Sequence, residues 1–197
     1  MQYIKVFYKN HRMLLNIIFL IISISITLGL IVSLTLNNEL VDNIYNLFLD
    51  KINNYNSYTL SNFLYPIISY LLIIVSSISI IGCFMPLLSI FIENMSIGLL
   101  LGILIRKQAL KGLLYCVIYF IITKLIYMLI LIYLTISIYK FIKTLLTSLK
   151  DKNNESIYKL YSKILIKLMF SIIFITVINI LNIFIAPYIF HLFIFLL

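Results

Sequence analysis

The sequence predicts an all-α fold of the polytopic transmembrane kind, a helical bundle of about five spans with amphipathic interfacial helices in its loops. Three observations predict it. Hydrophobic residues make up 63% of the 197-residue chain and charged residues only 11%, against roughly 45–50% and about 25% in soluble domains. The apolar residues come in runs longer than a globular core helix needs, divided by short polar segments. The basic residues, which leave a net charge of +9, sit beside those runs, where they act as topology and headgroup charges. A single integral membrane domain over residues 1–197 is expected, with the lipid bilayer as its first partner. Nucleic acid is not an expected partner, because the apolar runs leave little room for a nucleic-acid-binding module.

The first run, Met13 to Leu36, exceeds the roughly 30 Å hydrocarbon thickness at 1.5 Å per residue. Lys5, Lys9 and Arg12 precede it like a signal-peptide n-region, but the run is too long for an h-region and no small-x-small cleavage site follows. It reads as an uncleaved anchor with a cytoplasmic N-terminus. The loop 37–62 carries Glu39, Asp42 and Asp50 against Lys51 alone, the balance expected outside. Within it Leu40, Val41, Ile44, Tyr45, Leu47, Phe48 and Ile52 recur at helical spacing, which predicts an amphipathic helix at the outer surface.

The second run, 63–92, holds Gly82 and Pro86 and ends at Glu93 and Asn94; it must turn or kink near Pro86. The third, 95–105, is short enough for a re-entrant segment, yet charge favours a full crossing. Without it, the span 113–139 would leave Lys140, Lys143, Lys150, Lys152, Lys159 and Lys163 outside against only Asp151 and Glu155. With it, only Arg106, Lys107 and Lys111 oppose the positive-inside rule. The short helix gains length by starting near Pro86 and burying Glu93, or by letting Arg106 and Lys107 snorkel. The last span, 164–197, holds Lys167 near its inner end and Pro187 in its second half, and leaves the C-terminus outside. In the cytoplasmic loop 140–163, Phe141, Ile142, Leu145, Leu146 and Leu149 form one apolar stripe. Ile157, Leu160, Tyr161 and Ile164 form another beside Lys159, Lys163 and Lys167. Both read as helices lying in the interface with lysines toward anionic lipid.

Residues able to carry chemistry are few. His11 and His191 fall on opposite sides of the membrane in this topology, and Cys83 and Cys116 lie in apolar stretches, where a thiol behaves as a small hydrophobe. No acid pair, Ser-His arrangement or metal-ligand spacing stands out. No catalytic residue, cofactor or metal site is expected, and the chain does not read as an enzyme. Lys124 is the one charge near the middle of a clean span, and Glu93 is its only acidic neighbour near the membrane. Such a charge marks a functional polar site by default, set against snorkelling or a backbone hydrogen bond. Gly98 and Gly102 form a GxxxG, which lets two helix backbones approach, either within the chain or between copies in a homo-oligomer. Asn179 and Asn182 share a face of the last helix, where interhelical hydrogen bonding is the usual role.

The order of these features resembles the stage II sporulation protein M family of bacterial membrane proteins, over most of the chain. The resemblance rests on the N-terminal anchor, the outer amphipathic segment near Asn38 to Asn56 and the hairpin of hydrophobic helices. It extends to the Gly98-Leu-Leu-Leu-Gly102 turn about nine residues before Lys111-Gly112, and to the closing Asn182-Ile-Phe-Ile-Ala-Pro187. The chain departs from the family where Ile122, Thr123 and Lys124 replace a Pro-Gln-Asn and where Asn182 replaces an acidic residue. The resemblance implies a non-enzymatic scaffold in the cell membrane at the sporulation septum. There it would hold peptidoglycan-degrading partners, cell-wall hydrolases, during engulfment of the forespore. On that reading Tyr45 and Phe48 of the outer helix are the candidate partner surface. The alternative is a transport protein or permease subunit built on Lys124 and on helices interrupted near Pro86 and Pro187.

Overall fold

In hydrocarbon every backbone N–H and C=O must be bonded within the chain, so long runs of Ile, Leu and Phe become helical despite their β-branched content. The computed structural model describes residues 2–53, 60–77, 79, 84–150 and 154–193. These form helices α1 (Gln2–Thr35), α2 (Asn38–Asn53), α3 (Leu60–Ser77), α4 (Met85–Thr123), α5 (Leu125–Lys150) and α6 (Asn154–Phe193). Among the described residues, four helical stretches are long and apolar enough to cross a membrane: His11–Thr35, Met85–Thr123, Leu125–Ser148 and Lys159–Asn182. The chain is thus all-helical and compatible with a multi-pass membrane protein.

The element boundaries correct the sequence reading in one place and decide it in another. The run 63–92 is not one span, since α3 ends at Ser77 and α4 begins at Met85. Pro86 sits in the first turn of α4, where its missing N–H would have had no intrahelical partner. The run 95–105 gains its length in the first of the two ways expected, as the middle of a long helix that starts beside Pro86 and includes Glu93.

α4 is folded back on itself. Ala109 has φ 49° and ψ −125° inside the helix, which splits it into arms 85–108 and 110–123. Gly112 lies so close to Leu104 that a Cβ on it would overlap the Leu104 carbonyl; in a continuous helix those residues would be about 12 Å apart. The first arm is about 36 Å long, enough to cross the hydrocarbon region. The second runs nearly straight into α5, because Lys124 N–H donates to Phe120 O and Met128 N–H to Lys124 O, both at 2.9 Å.

The first arm runs parallel to α1, with Ile26 against Gly98 and Ser33 against Gly102. Of the four membrane-length stretches that of α5 is the most buried, and Leu134, Thr135, Ile136, Ser137 and Ile138 are buried in succession. Leu15 and Ile18 of α1, Tyr70, Ile73 and Ile74 of α3, Ile90 of α4, and Leu168 and Ile175 of α6 complete this core. Between lipid-solvated helices the stabilisation comes from van der Waals contact rather than from water release.

The end of α5 and the start of α6 correct a further expectation. The two apolar stripes of the segment 140–163 face each other instead of lying in the interface plane. Phe141, Ile142, Leu145 and Ile164 are buried, and the Phe141 and Tyr161 rings meet edge to face at 5.0 Å. A helix that continues its span keeps every backbone hydrogen bond, and the partner stripe covers the apolar face that lipid would otherwise have to cover. Leu149 and Ile157 have side chains outside the described set, and Leu146 is exposed.

Candidate functional site

Two polar constellations stand out, one at the tip of the α4 hairpin and one inside the bundle. The tip is built by three consecutive residues. α1 has no basic residue in its own last turn, so its final carbonyls lack a partner for the negative end of the helix dipole. Arg106 supplies it. One guanidinium nitrogen donates to Ser33 O at 2.6 Å and Leu36 O at 3.0 Å, and the other to Asn38 Oδ1 at 2.8 Å. Lys107 pairs with Asp42 of α2, and Gln108 Nε2 donates to Tyr45 Oη at 3.0 Å. The start of α2 is set by Asn37, whose Oδ1 accepts from Leu40 N–H at 2.9 Å, an N-cap bond.

This clamp decides which face of α2 is free. Tyr45 and Phe48 do not form an outward surface. Phe48 packs edge to face on Tyr115 at 6.0 Å and on Tyr119 at 5.6 Å, and both Tyr45 and Phe48 pack against the buried Leu104, Tyr115 and Cys116. Among the described side chains of α2, the large apolar residues left exposed are Leu40 and Leu47, 47% and 68% accessible. Arg106 and Lys107, which in the sequence only oppose the positive-inside rule, are thus structural ligands. The signal for them was an Arg-Lys-Gln run between two apolar arms, facing a loop with an acid at Asp42.

The close α1–α4 approach rests on small residues from both helices. A Cβ on Gly98 would overlap the Ile26 carbonyl, one on Gly29 the Met95 carbonyl, and one on Gly102 the Ser33 hydroxyl. Ser25 and Ser33 are buried and bond to carbonyls of their own helix, Ile22 O at 2.9 Å and Leu30 O at 2.6 Å. Gly98 and Gly102 are therefore occupied within the chain, and any homo-oligomer must use another face.

Inside the bundle, Lys124 Nζ lies 2.6 Å from Glu93 Oε2. Each is about 13 residues, or about 20 Å, from the basic residues flanking the hairpin tip, so the antiparallel arms bring them to one depth. Lys124 ends the second arm and has φ −114°, off the helical value. Its ammonium also lies 5.9 Å from the centroid of the Tyr127 ring, at cation–π range. Tyr70 meets Tyr127 edge to face at 5.9 Å. The buried Asn94 donates to Ile90 O at 2.7 Å, with Met128 Sδ 3.9 Å away.

The remaining expectations land as follows. Asn179 Nδ2 is buried with no hydrogen-bond partner among the described residues, and no interhelical bond of Asn182 is among them. Cys116 is buried and free, while the side chains of Cys83, His191 and Pro187 lie outside the described set. Among the described residues no group of three or more His, Cys, Asp or Glu could hold a metal ion.

The chain matches no protein-family model, no curated protein and no solved structure.

Proposed function

We propose that the chain is a non-enzymatic membrane scaffold whose outer helix α2 is a docking platform. The partner class is the one implied by the resemblance to stage II sporulation protein M: peptidoglycan-degrading enzymes, held at the septum during forespore engulfment. The observation that carries the reading is the clamp of Arg106, Lys107 and Gln108, which ties α2 to the ends of two helices. A fixed outer helix that presents Leu40 and Leu47 suits a platform.

The reading takes the chain as five crossings, with the N-terminus and the α5–α6 bend cytoplasmic and α2, the hairpin tip and the C-terminus outside. Seven lysines from Lys140 to Lys167 against Asp151 and Glu155 support that orientation. The carbonyl and carboxylate partners of Arg106 and Lys107 support it too, because they offset the charges that oppose it. A transport reading is less favoured, since Glu93 and Lys124 neutralise each other rather than facing a solute.

Co-purification of a wall hydrolase with the tagged full-length chain tests the proposal. L40S/L47S should weaken capture severalfold while membrane insertion persists, and R106A should weaken it by loosening α2. Capture unchanged by both variants overturns the platform.

A further inference from the structure

A groove runs along one side of the α5–α6 seam and changes character along its length. Its deeper part, of about 450 Å³, is walled by Ile126, Leu129, Ile130, Phe170 and Phe174. Lys167 lines the same part, with Tyr133 and Ser171 beside it. A second hollow of about 320 Å³ is lined by Thr144, Thr147, Ser148, Lys159 and Lys163.

The two hollows lie on one face. Ile126 and Thr144, Leu129 and Thr147, and Ile130 and Ser148 are each about five helical turns apart, and so point the same way. On α6, Leu160 and Ser171, and Lys163 and Phe174, are each about three turns apart. One seam is thus apolar toward the bundle middle and cationic toward the α5–α6 bend.

We propose that this seam binds one anionic glycerophospholipid from the leaflet around the bend. An acyl chain lies along Ile126, Leu129, Ile130, Phe170 and Phe174, and the phosphate sits on Lys167 and Lys163. Charge complementarity selects this occupant. The sequence has no acidic residue between Glu93 and Asp151 and none after Glu155, so the groove has no carboxylate in its deeper part. Lys159, Lys163 and Lys167 repeat every four residues on one face, a like-charge row that repels itself unless an anion lies along it. The threonine hydroxyls donate to their own helix, Thr144 to Phe141 O and Thr147 to Thr144 O, both at 2.8 Å, so the ammonium groups supply the recognition. Basic pockets between helices at headgroup depth are suited to anionic lipid, while the apolar walls below them match a chain rather than a soluble anion.

The chain contains no Trp, so F170W places its single tryptophan in the groove wall, where it can be excited selectively over the tyrosines. Full-length F170W is reconstituted in phosphatidylcholine vesicles, and quenching by dibrominated phosphatidylglycerol is compared with quenching by dibrominated phosphatidylcholine. The brominated phosphatidylglycerol should quench at a mole fraction between about fivefold and about thirtyfold lower, the effect of one to two lysines at an anionic surface. K163Q/K167Q should abolish the preference and K163R/K167R keep it. K150Q/K152Q, which removes two charges from the same end of the bundle, should leave it in place. Equal quenching by the two lipids, a preference that survives K163Q/K167Q, or one lost equally in K150Q/K152Q overturns the site. Should F170W fail to insert, native mass spectrometry of the unaltered chain with the same lipids decides. Retained phosphatidylglycerol adducts that K163Q/K167Q loses support the site, and equal retention of both lipids overturns it.

Discussion

Lys124 Nζ and Glu93 Oε2, 31 positions apart in the chain, lie 2.6 Å from each other across the two arms of the α4 hairpin. Each side chain is 28% accessible, so the pair is partly withdrawn from its surroundings and each charge relies on the other for compensation. A desolvated ion pair is costly to break at one end and cheap to replace as a whole. K124M is therefore expected to lose about 3 kcal/mol of stability by stranding the Glu93 carboxylate. E93Q/K124M should recover most of that loss. Reversible unfolding in mixed micelles measures both, and simple additivity of the single variants would contradict the pairing.

Two glycines of the α1–α4 seam, Gly98 and Gly102, should respond differently to the same methyl group. Gly98 faces the Ile26 backbone carbonyl, whereas Gly102 faces the Ser33 side chain. Both G98A and G102A should destabilise by about 1–3 kcal/mol through overpacking. S33G should rescue G102A, because removing that side chain clears the space. No side-chain change at Ile26 should rescue G98A. Melting temperatures of the four proteins in detergent distinguish the two cases, and rescue of G98A by I26A would sink the backbone contact.

Ala109 turns the hairpin at φ 49° and ψ −125°, a sparsely populated backbone region that costs a residue with a Cβ about 1–3 kcal/mol. Glycine adopts it freely. A109G should raise stability by up to about 1 kcal/mol, after the entropy that glycine adds to the unfolded chain is deducted. A109V should lower it, because a β-branched residue suffers most there. A destabilised A109G protein would mean that the corner is not at this residue.

Orientation is open to direct chemical labelling. In a background with Cys83 and Cys116 changed to Ser, N46C on α2 should react with an impermeant thiol reagent in intact cells. T147C near the inner end of α5 should react only after the membrane is opened. Labelling of T147C in intact cells would reverse the proposed orientation, because the lysines around that bend would then face outward.

Much of the architecture was legible from hydrophobic run length, since hydrocarbon leaves an apolar run few options besides a helix. The amphipathic α2 was also legible, because seven apolar residues at helical spacing define a face. What the pattern did not say was which part of that face the chain would cover itself. Tyr45 and Phe48 turned inward on Tyr115 and Tyr119, and Leu40 and Leu47 stayed outside. Glu93 was identifiable as the acid nearest Lys124 only because acids are so scarce; their contact depended on a hairpin corner at Ala109. Nothing in that alanine marks a turn, as a glycine or proline would have.

The sequence by itself determined that this is an all-helical chain with membrane-length apolar stretches, a charge excess concentrated around one bend, and a single Glu–Lys candidate inside the spans. These follow from composition and order, which set the cost of each segment in water or lipid without reference to its neighbours. Tertiary structure alone decided the reversal within α4, the capping of α1 by Arg106, the use of Gly98 and Gly102 against α1, and the facing of the two inner stripes. Each depends on which helix surfaces meet. That choice is set by shape and short-range contact between residues far apart in the chain, and a one-dimensional pattern does not encode it.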